Sequence, residues 1–317
     1  MSGRTGFTVL IAVKDGESTI GRAIASVRDE AAHIVLIDHA STDRTIEIAR
    51  DMGGASLRVV SAAQCDTLGA VRQAGLALAP TRFAAWLDAD DEFLPGRIDR
   101  LRARLEQADV AAVFDATILC GPDGSERAVP LPEWTAQSSL AARLFERNPF
   151  PAIGLIGFDA DAWRGLGYDA AFPGAEDLDI VLRAAAQGLA VGWIAEAGTR
   201  VHVRYESLSR RRDNQRAMYA RALRKHPYQV VESTYREAGW DAATTSWGLA
   251  SMALFRGDGA VALGYLDQAR RVGVNGWQMA FARGVAHLLS GDGAYALQSL
   301  MVAEDLEPSP EAAVSDQ

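Results

Sequence analysis

Cysteine is almost missing from this chain. Cys65 and Cys120 are the whole complement in 317 residues, too few for a disulfide framework, so a reducing compartment is expected. Long apolar runs are missing too. None approaches the roughly 18–20 residues that span a bilayer, and Met1 to Thr8 holds no apolar core of signal-peptide length. A cytoplasmic protein is expected, with peripheral membrane contact left open. An excess of positive charge is lacking: 32 Lys and Arg face 41 Asp and Glu, a net charge of −9, which argues against a dedicated nucleic-acid binder. Three nucleotide motifs are absent as well. Val13-Lys-Asp-Gly-Glu-Ser18 follows the first apolar run, where a dinucleotide-binding dehydrogenase needs Gly-x-Gly-x-x-Gly. There is no P-loop, and no glycine-rich, Arg-containing loop such as a sugar nucleotidylyltransferase requires. What remains is ordinary for a soluble globular chain, 49% apolar and 23% charged, with length enough for two domains.

The stretch that organises the rest is Phe83-Ala-Ala-Trp-Leu-Asp88-Ala-Asp90-Asp91. Its apolar run is too short for a helix and too continuous for a half-exposed strand, so it reads as a central parallel strand buried on both faces. In an open α/β sheet the ligand crevice lies beyond the carboxyl ends of the strands, which is where these acids fall. Three adjacent carboxylates repel one another. A hard divalent cation offsets that cost, and Mg²⁺ typically takes one or two carboxylates plus phosphate oxygens. The plainer alternative is a solvated acidic loop before the helix near Pro95.

Around this stretch strands and helices alternate. Phe7–Val13 reads as a first strand, Ser18 as the cap of a helix with Ile20, Ala23, Ile24 and Val27 inward, and His33–Asp38 as a second strand. Ser41 to Thr45 opens another helix. Leu57–Ser61 is a strand, Thr67–Ala79 a helix, Pro95 suits the first turn of a helix, and 110–114 is a strand. That order predicts a doubly wound, mostly parallel sheet with helices on both faces. The alternation then breaks. Gly121–Gly124 reads as a hairpin tip, Val129 to Trp134 as irregular, and Ser138–Arg147 as a helix. Ile153–Phe158 reads as a strand, Tyr168–Ala175 as a loop leading into a helix from Glu176 to Gln187, and 190–194 and 199–203 as two last strands.

A basic segment follows: Arg200, Arg204, Arg210, Arg211, Arg212, Arg216, Arg221, Arg224 and Lys225. It reads as a solvated helix face, a clamp on a diphosphate, or a contact with anionic lipid. The last part repeats. Gly257-Asp-Gly-Ala-Val-Ala-Leu263 recurs as Gly291-Asp-Gly-Ala-Tyr-Ala-Leu297, with Leu266 matching Leu300 and Ala269 matching Ala303. The offset is the tetratricopeptide period, and Pro308 stands where such a repeat closes. Each half reads as helix, Gly-Asp turn, helix. Two such pairs bury little alone, so packing on a neighbour, or homodimerisation through these helices, is expected.

Residues from about Phe7 to Leu208 resemble a family 2 glycosyltransferase of GT-A fold. The resemblance is carried by several stretches in order: Val9-Leu-Ile-Ala12-Val13-Lys14-Asp15; Ile37-Asp38-His39-Ala-Ser-Thr-Asp43; Gly69-Ala-Val-Arg72-Gln73-Ala-Gly75; Leu87-Asp88-Ala89-Asp90-Asp91; Gly167 through Glu176-Asp177; and Val201-His202 with Ser207-Leu-Ser209. It implies residues 1–208 as a GT-A domain, 209–240 as a basic helical connector and 241–317 as tetratricopeptide-like repeats.

It also implies a chemistry. A nucleotide-diphosphate sugar is the donor, held by Ala12, Val13, Lys14, Asp15, Asp38, His39, Arg72, Asp88 and Ala89. Mn²⁺ or Mg²⁺ sits on Asp90 with Asp88 or Asp91, His202 being a candidate further ligand that would favour Mn²⁺. Asp177 is the base that takes the acceptor's proton and Glu176 positions the acceptor. A single inverting displacement needs no enzyme nucleophile. The plainer alternative for this pair is two acids favouring the positive end of a helix. His39 departs from the family, which usually has a second Asp there, and so puts the usual uridine preference in question. Ala12 and Lys14-Asp15 replace the commoner Pro and Tyr-Asn. Such departures would suit a degenerate, non-catalytic binding domain; the intact acids oppose that. The repeats suggest a peptide or protein acceptor, with a polysaccharide or lipid-linked glycan as the alternative.

Overall fold

The computed structural model describes residues 6–107, 110–132, 137–148, 150–203, 212–293, 295–296 and 298–300. Arg204, Ser207, Leu208, Ser209, Arg210, Arg211, Trp134, Leu297, Ala303 and Pro308, all used above, lie outside them, as do the side chains of Arg212 and Arg216. Two compact units emerge: residues up to Leu140 with Asn148–Tyr219, and Ala141–Arg147 with residues from Ala220 on.

The first unit opens with β1 (Phe7–Val13), α1 (Ile20–Ala25), β2 (His33–Asp38), α2 (Thr45–Gly53), β3 (Leu57–Ser61), α3 (Leu68–Leu78) and β4 (Phe83–Trp86). It continues with β5 (Glu92–Phe93), α4 (Arg97–Leu105), β6 (Ala112–Cys120), β7 (Glu126–Val129) and α5 (Gln137–Glu146), whose last turns belong to the other unit. Then come β8 (Gly157–Asp159), α6 (Ala160–Leu166), α7 (Glu176–Ala186), β9 (Val191–His202) and the start of α8 (Arg212–Arg224). One sheet runs β3-β2-β1-β4-β8-β6-β9-β5, with β7 paired to β6. The pairs β3–β2, β2–β1, β1–β4 and β6–β9 are parallel, and β8, β5 and β7 pair antiparallel.

Burial explains the apolar runs. Phe7, Val9, Ile11 and Val13 alternate along β1 and share a core with Ile20, Ala23 and Ile24 of α1 and with Ile98, Leu101 and Leu105 of α4. Helix α3 packs against β1 and β2. Every residue of β4 is buried, as a strand covered on both faces must be. The chain passes outward from β1 to β2 and β3, then returns to β4 on the other side of β1. That reversal opens a crevice at the carboxyl ends of β1 and β4, where Lys14-Asp15 and Asp88 stand.

Several local expectations shift. Helix α1 is preceded by Thr19, with no side-chain cap from Ser18. Pro95 precedes α4 rather than joining its first turn: Gly96, in left-handed conformation, is the residue before the helix. The anticipated strand over 153–158 is only three residues, β8, because residues 151–154 form a turn. The two last strands are one, β9, whose register against β6 shifts beside Asp115 and Ala116. That irregularity is what makes it read as two pieces.

The second unit holds the end of α8, then α9 (Tyr228–Glu237), α10 (Ala242–Arg256), α11 (Gly259–Arg271) and α12 (Trp277–Leu289). Leu266, Ala262 and Ala269 of α11 pack with Ala250 and Ala253 of α10 and Met279, Ala282 and Ala286 of α12. Gly257 and Gly291 both take positive φ (+83° and +79°) and are each followed by Asp. The helix, Gly-Asp turn, helix pattern is present at α10 and α11, and Phe145 meets Tyr235 edge-on while Tyr235 stacks on Trp240. Among the described residues no helix is long and apolar enough to cross a membrane.

Candidate active site

Two acid-bearing segments meet in the crevice, and an arginine joins them. The first is the turn after β4, closed by Asp91 N–H donating to Asp88 O at 3.0 Å. The second is the start of α7, where Glu176 and Asp177 head the helix behind Ala175, a residue in left-handed conformation (φ 58°). Arg72, on α3, reaches both. Its Nη2 donates to Asp88 Oδ1 at 2.9 Å, and its Nε lies 2.6 Å from Glu176 Oε1. The contact to Glu176 is an ion pair rather than an aligned hydrogen bond. The guanidinium stands 4.7 Å from the centre of the Trp86 ring. Arg72 and Glu176 have side-chain exposures of 5% and 2%, while Asp88 keeps 42%. The charge chain thus runs from an open acid through a buried cation to a buried acid.

Electrostatics follow from that burial. Burial opposes charge on Arg72, yet Asp88 and Glu176 hold its pKa above the ordinary guanidinium value. Burial pushes Glu176 up to about 7, with Arg72 opposing and Asp177 adding to the rise. Asp177 is only half-buried by area, but atoms crowd its carboxylate; that desolvation raises its pKa against the pull of Arg72. Arg72 Nη1 and Glu176 Oε2 are buried with no hydrogen-bond partner among the described residues.

Helix α3 also holds the loop before α7. Thr67 caps α3 by accepting from Ala70 N–H, and its hydroxyl donates to Ala170 O. Gly69 N–H donates to Phe172 O at 3.0 Å, and a Cβ on Gly69 would stand 2.2 Å from Asp169 O. Gln73 Oε1 accepts from Tyr168 N–H at 2.7 Å. Arg183 closes the far end, pairing with Asp179 and donating to Leu166 O and Gly167 O. Asp177 Oδ1 accepts its neighbour's N–H, Leu178, at 2.7 Å. Its Oδ2 faces Gly154, where a Cβ would stand 2.9 Å away. Gly154→Ala is expected to tilt this carboxylate, lowering transfer about tenfold or more while nucleotide affinity is kept; steady-state kinetics beside calorimetry measure both.

The acids after β4 divide by exposure. Asp88 and Asp90 are part-exposed. Asp91 is 3% exposed, and its Oδ1 accepts His202 N–H at 2.8 Å, tying the turn to the end of β9. Burial, with Asp88 and Asp90 beside it, pushes Asp91 up to about 8. The His202 imidazole turns to Glu92, Nε2 to Oε1 at 2.6 Å, and Arg22 Nε is 3.3 Å from the same oxygen. Among the described residues no cluster of three or more His, Cys, Asp or Glu is placed to hold a metal ion. Asp91 takes the His202 N–H and Asp88 the Arg72 guanidinium, and the part-exposed carboxylates of Asp88 and Asp90 suit a hard cation that takes its other oxygens from phosphate and water.

At the other rim, Ala12 is half-buried, Val13 is buried, and Lys14 and Asp15 are exposed. Asp15 (φ 50°) accepts from Thr42 N–H at 2.8 Å, and Asp38 Oδ1 accepts from Ser41 N–H at 3.0 Å. His39 N–H donates to Val13 O at 2.8 Å. These contacts stitch the β1 and β2 turns into one wall, while Ala89 lies part-exposed on the β4 turn. Of the basic segment, Arg200 pairs with Glu126 at 2.9 Å and Arg224 bonds Arg256 O.

The sequence reading gives Thr67, Gln73, Gly154 and Tyr168 no role in the site, although Gln73 lies within the Gly69–Gly75 motif. One available signal was the spacing Gly69, Arg72, Gly75, which puts two small residues and an arginine on one helix face.

This fold, a mixed sheet whose parallel half carries acids at the strand ends, is a GT-A fold. Residues 8–163 match the model of glycosyl transferase family 2. The succinoglycan biosynthesis protein ExoU of Rhizobium meliloti is 32% identical over 225 residues, 65% of this chain and 64% of ExoU. The same organism's ExoO is 32% identical over 107 residues, 33% of this chain and 30% of ExoO. The chain thus matches less than two thirds of the length of either relative. Residues 1–349 of S. aureus TarS, solved in complex with UDP-GlcNAc, share the fold at a TM-score of 0.58 and 14% identity, covering 95% of this chain and 91% of that one.

Proposed function

We propose that the protein is an inverting, metal-dependent glycosyltransferase that moves a hexose from a nucleotide-diphosphate sugar to an acceptor hydroxyl. The observation that carries this reading is the Asp88–Arg72–Glu176 chain, which joins the crevice acids to the head of α7. Asp177 removes the acceptor's proton. The freed oxygen bonds to the anomeric carbon as the bond to the diphosphate oxygen breaks, and the nucleoside diphosphate leaves. Glu176, held by Arg72, orients the acceptor. A divalent cation on Asp88 and Asp90 would supply charge to the departing diphosphate. Asp38, His39 and the Lys14-Asp15 turn form the wall for the nucleoside.

The names of ExoU and ExoO support a growing glycan as acceptor. The Gly-Asp-linked helix pairs support the second reading, a peptide or protein acceptor. Turnover of a nucleotide-sugar panel with Mn²⁺ by the full chain, beside Asp90→Ala, tests the enzyme reading; equal turnover by both removes the cation-bound acids from it. The acceptor readings separate on whether oligosaccharide or peptide pools take up the labelled sugar.

A pH dependence follows. Glu176 is pushed up to about 7 and Asp177 is raised. Both must be ionised to act as described, so kcat/KM is expected to climb with pH through about 7. A rate–pH profile that is flat between pH 5 and 8 would contradict this.

A further inference from the structure

Arg97, the first residue of α4, is 1% exposed and takes no part in the proposed chemistry. Its Nε and Nη2 donate to Asp115 Oδ2 and Oδ1 at 2.6 and 3.0 Å, and the Asp115 side chain is buried as well. Room for this two-point pair comes from β9. Gly198 is passed over where the β6–β9 register slips, between Ala197 and Thr199. A Cβ on it would stand 1.8 Å from Asp115 Oδ2 and 2.7 Å from Arg97 Nε. Bulges beside a site commonly re-aim a side chain. A buried ion pair is weak evidence for stability, since apolar side chains of similar volume often serve as well. Its geometry is the better guide to its use. Arg97 Nη2 also donates to Leu155 O, and Leu155 N–H bonds Ala152 O at 3.1 Å to close the turn over residues 151–154. That turn carries Gly154, which faces Asp177 Oδ2. The guanidinium stands 4.0 Å from the centre of the Phe93 ring, two residues past Asp91. One side chain thus touches both the turn against Asp177 and the strand that follows the crevice acids.

We infer that Arg97, held by Asp115, is a positioning residue: through the Leu155 carbonyl it fixes the Gly154 turn against Asp177 and so sets where that carboxylate stands relative to the acids after β4. The inference rests on the reading of Asp177 as the base. An arginine bound to Leu155 O alone could swing about that one bond. Two further bonds to Asp115 fix the plane of the fork, and with it the direction of the third. A displacement of the turn by a fraction of an ångström would reach the base directly, because no side chain separates Gly154 from it.

Arg97→Met with Asp115→Asn in the full chain tests this. It removes both charges and the bond to Leu155 O, and avoids the stranded charge that either single change would leave. Carbon-13 NMR of the side-chain carboxyls of the unliganded protein, followed against pH, is expected to show Asp177 titrating about one pH unit lower than in the unaltered protein. Arg72, Asp88 and Glu176, the charged groups that act on Asp177, are untouched, so the shift reads water entering where Gly154 excludes it. With the nucleotide sugar that the panel selects, kcat is expected to fall about tenfold or more at unchanged donor KM. An unmoved Asp177 titration or an unchanged kcat in the folded variant overturns the inference and leaves the transferase reading standing. A panel with no turnover removes that reading instead, and the titration then decides the geometry alone. Should the double variant not fold, Arg97→Lys takes its place: it keeps a charge beside Asp115 but lacks the fork that also reaches Leu155 O, and the same two readings apply.

Discussion

Arg72→Met is expected to destabilise the first unit by about 3–5 kcal/mol and to remove detectable transfer. Methionine fills much of the same volume, so the loss is one of charge. Glu176 would be left at 2% side-chain exposure with its one ion-pair partner among the described residues gone, and Asp88 would lose the donor 2.9 Å away. Removing one member of a buried pair costs far more than removing both. Arg72→Met with Glu176→Gln is therefore expected to recover most of the stability and little of the activity. Denaturant unfolding of Arg72→Met, Glu176→Gln and the double variant beside the unaltered protein gives the double-mutant cycle. The sign with pH is also fixed. A carboxyl whose folded pKa lies above its unfolded value loses stability as pH rises and regains it as pH falls. The deficit of the single variant should shrink as pH falls toward about 7, because loss of Arg72, which opposes the rise, lifts the Glu176 carboxyl further above that value. A deficit that grows on acidification would show that Glu176 is not the group left unpaired.

Asp177→Asn is expected to lower kcat by about 10²–10⁴ with nucleotide affinity unchanged. The amide oxygen can still accept the Leu178 N–H that Oδ1 accepts at 2.7 Å, so the head of α7 keeps its geometry. What disappears is the ability to take a proton. Retained turnover at near-normal rate would move the base elsewhere, with Glu176 the next group to test. A parallel loss of nucleotide affinity would show instead that the substitution had disturbed the crevice.

The strands were legible because buried parallel strands are short continuous apolar runs, as in Phe7–Val13 and Phe83–Trp86. The acids were legible because strand ends are where such a sheet opens. The role of Arg72 was not. In the sequence it reads only as one of the residues that hold the nucleotide sugar, since nothing local ties α3 to the start of α7. The link is tertiary, made by Gly69, Gln73 and Thr67 drawing a distant loop onto the helix. The run 153–158 misled for a different reason. Ile153, Leu155 and Ile156 are buried as a strand would bury them, but they line a turn beside Asp177, and Arg97 donates to Leu155 O at its back. Apolar content alone does not separate those two cases.

One hydrogen bond bears on how this protein is to be produced in pieces. Asp91 takes the N–H of His202, and β9 is the parallel neighbour of β6. A recombinant fragment trimmed at residue 163, where the family match stops, would discard that strand together with Glu176 and Asp177. It would strip β6 of a partner, leave a raw sheet margin that invites self-association, and strand a desolvated carboxyl in the remaining half. Soluble material should require a right-hand boundary no earlier than the close of β9.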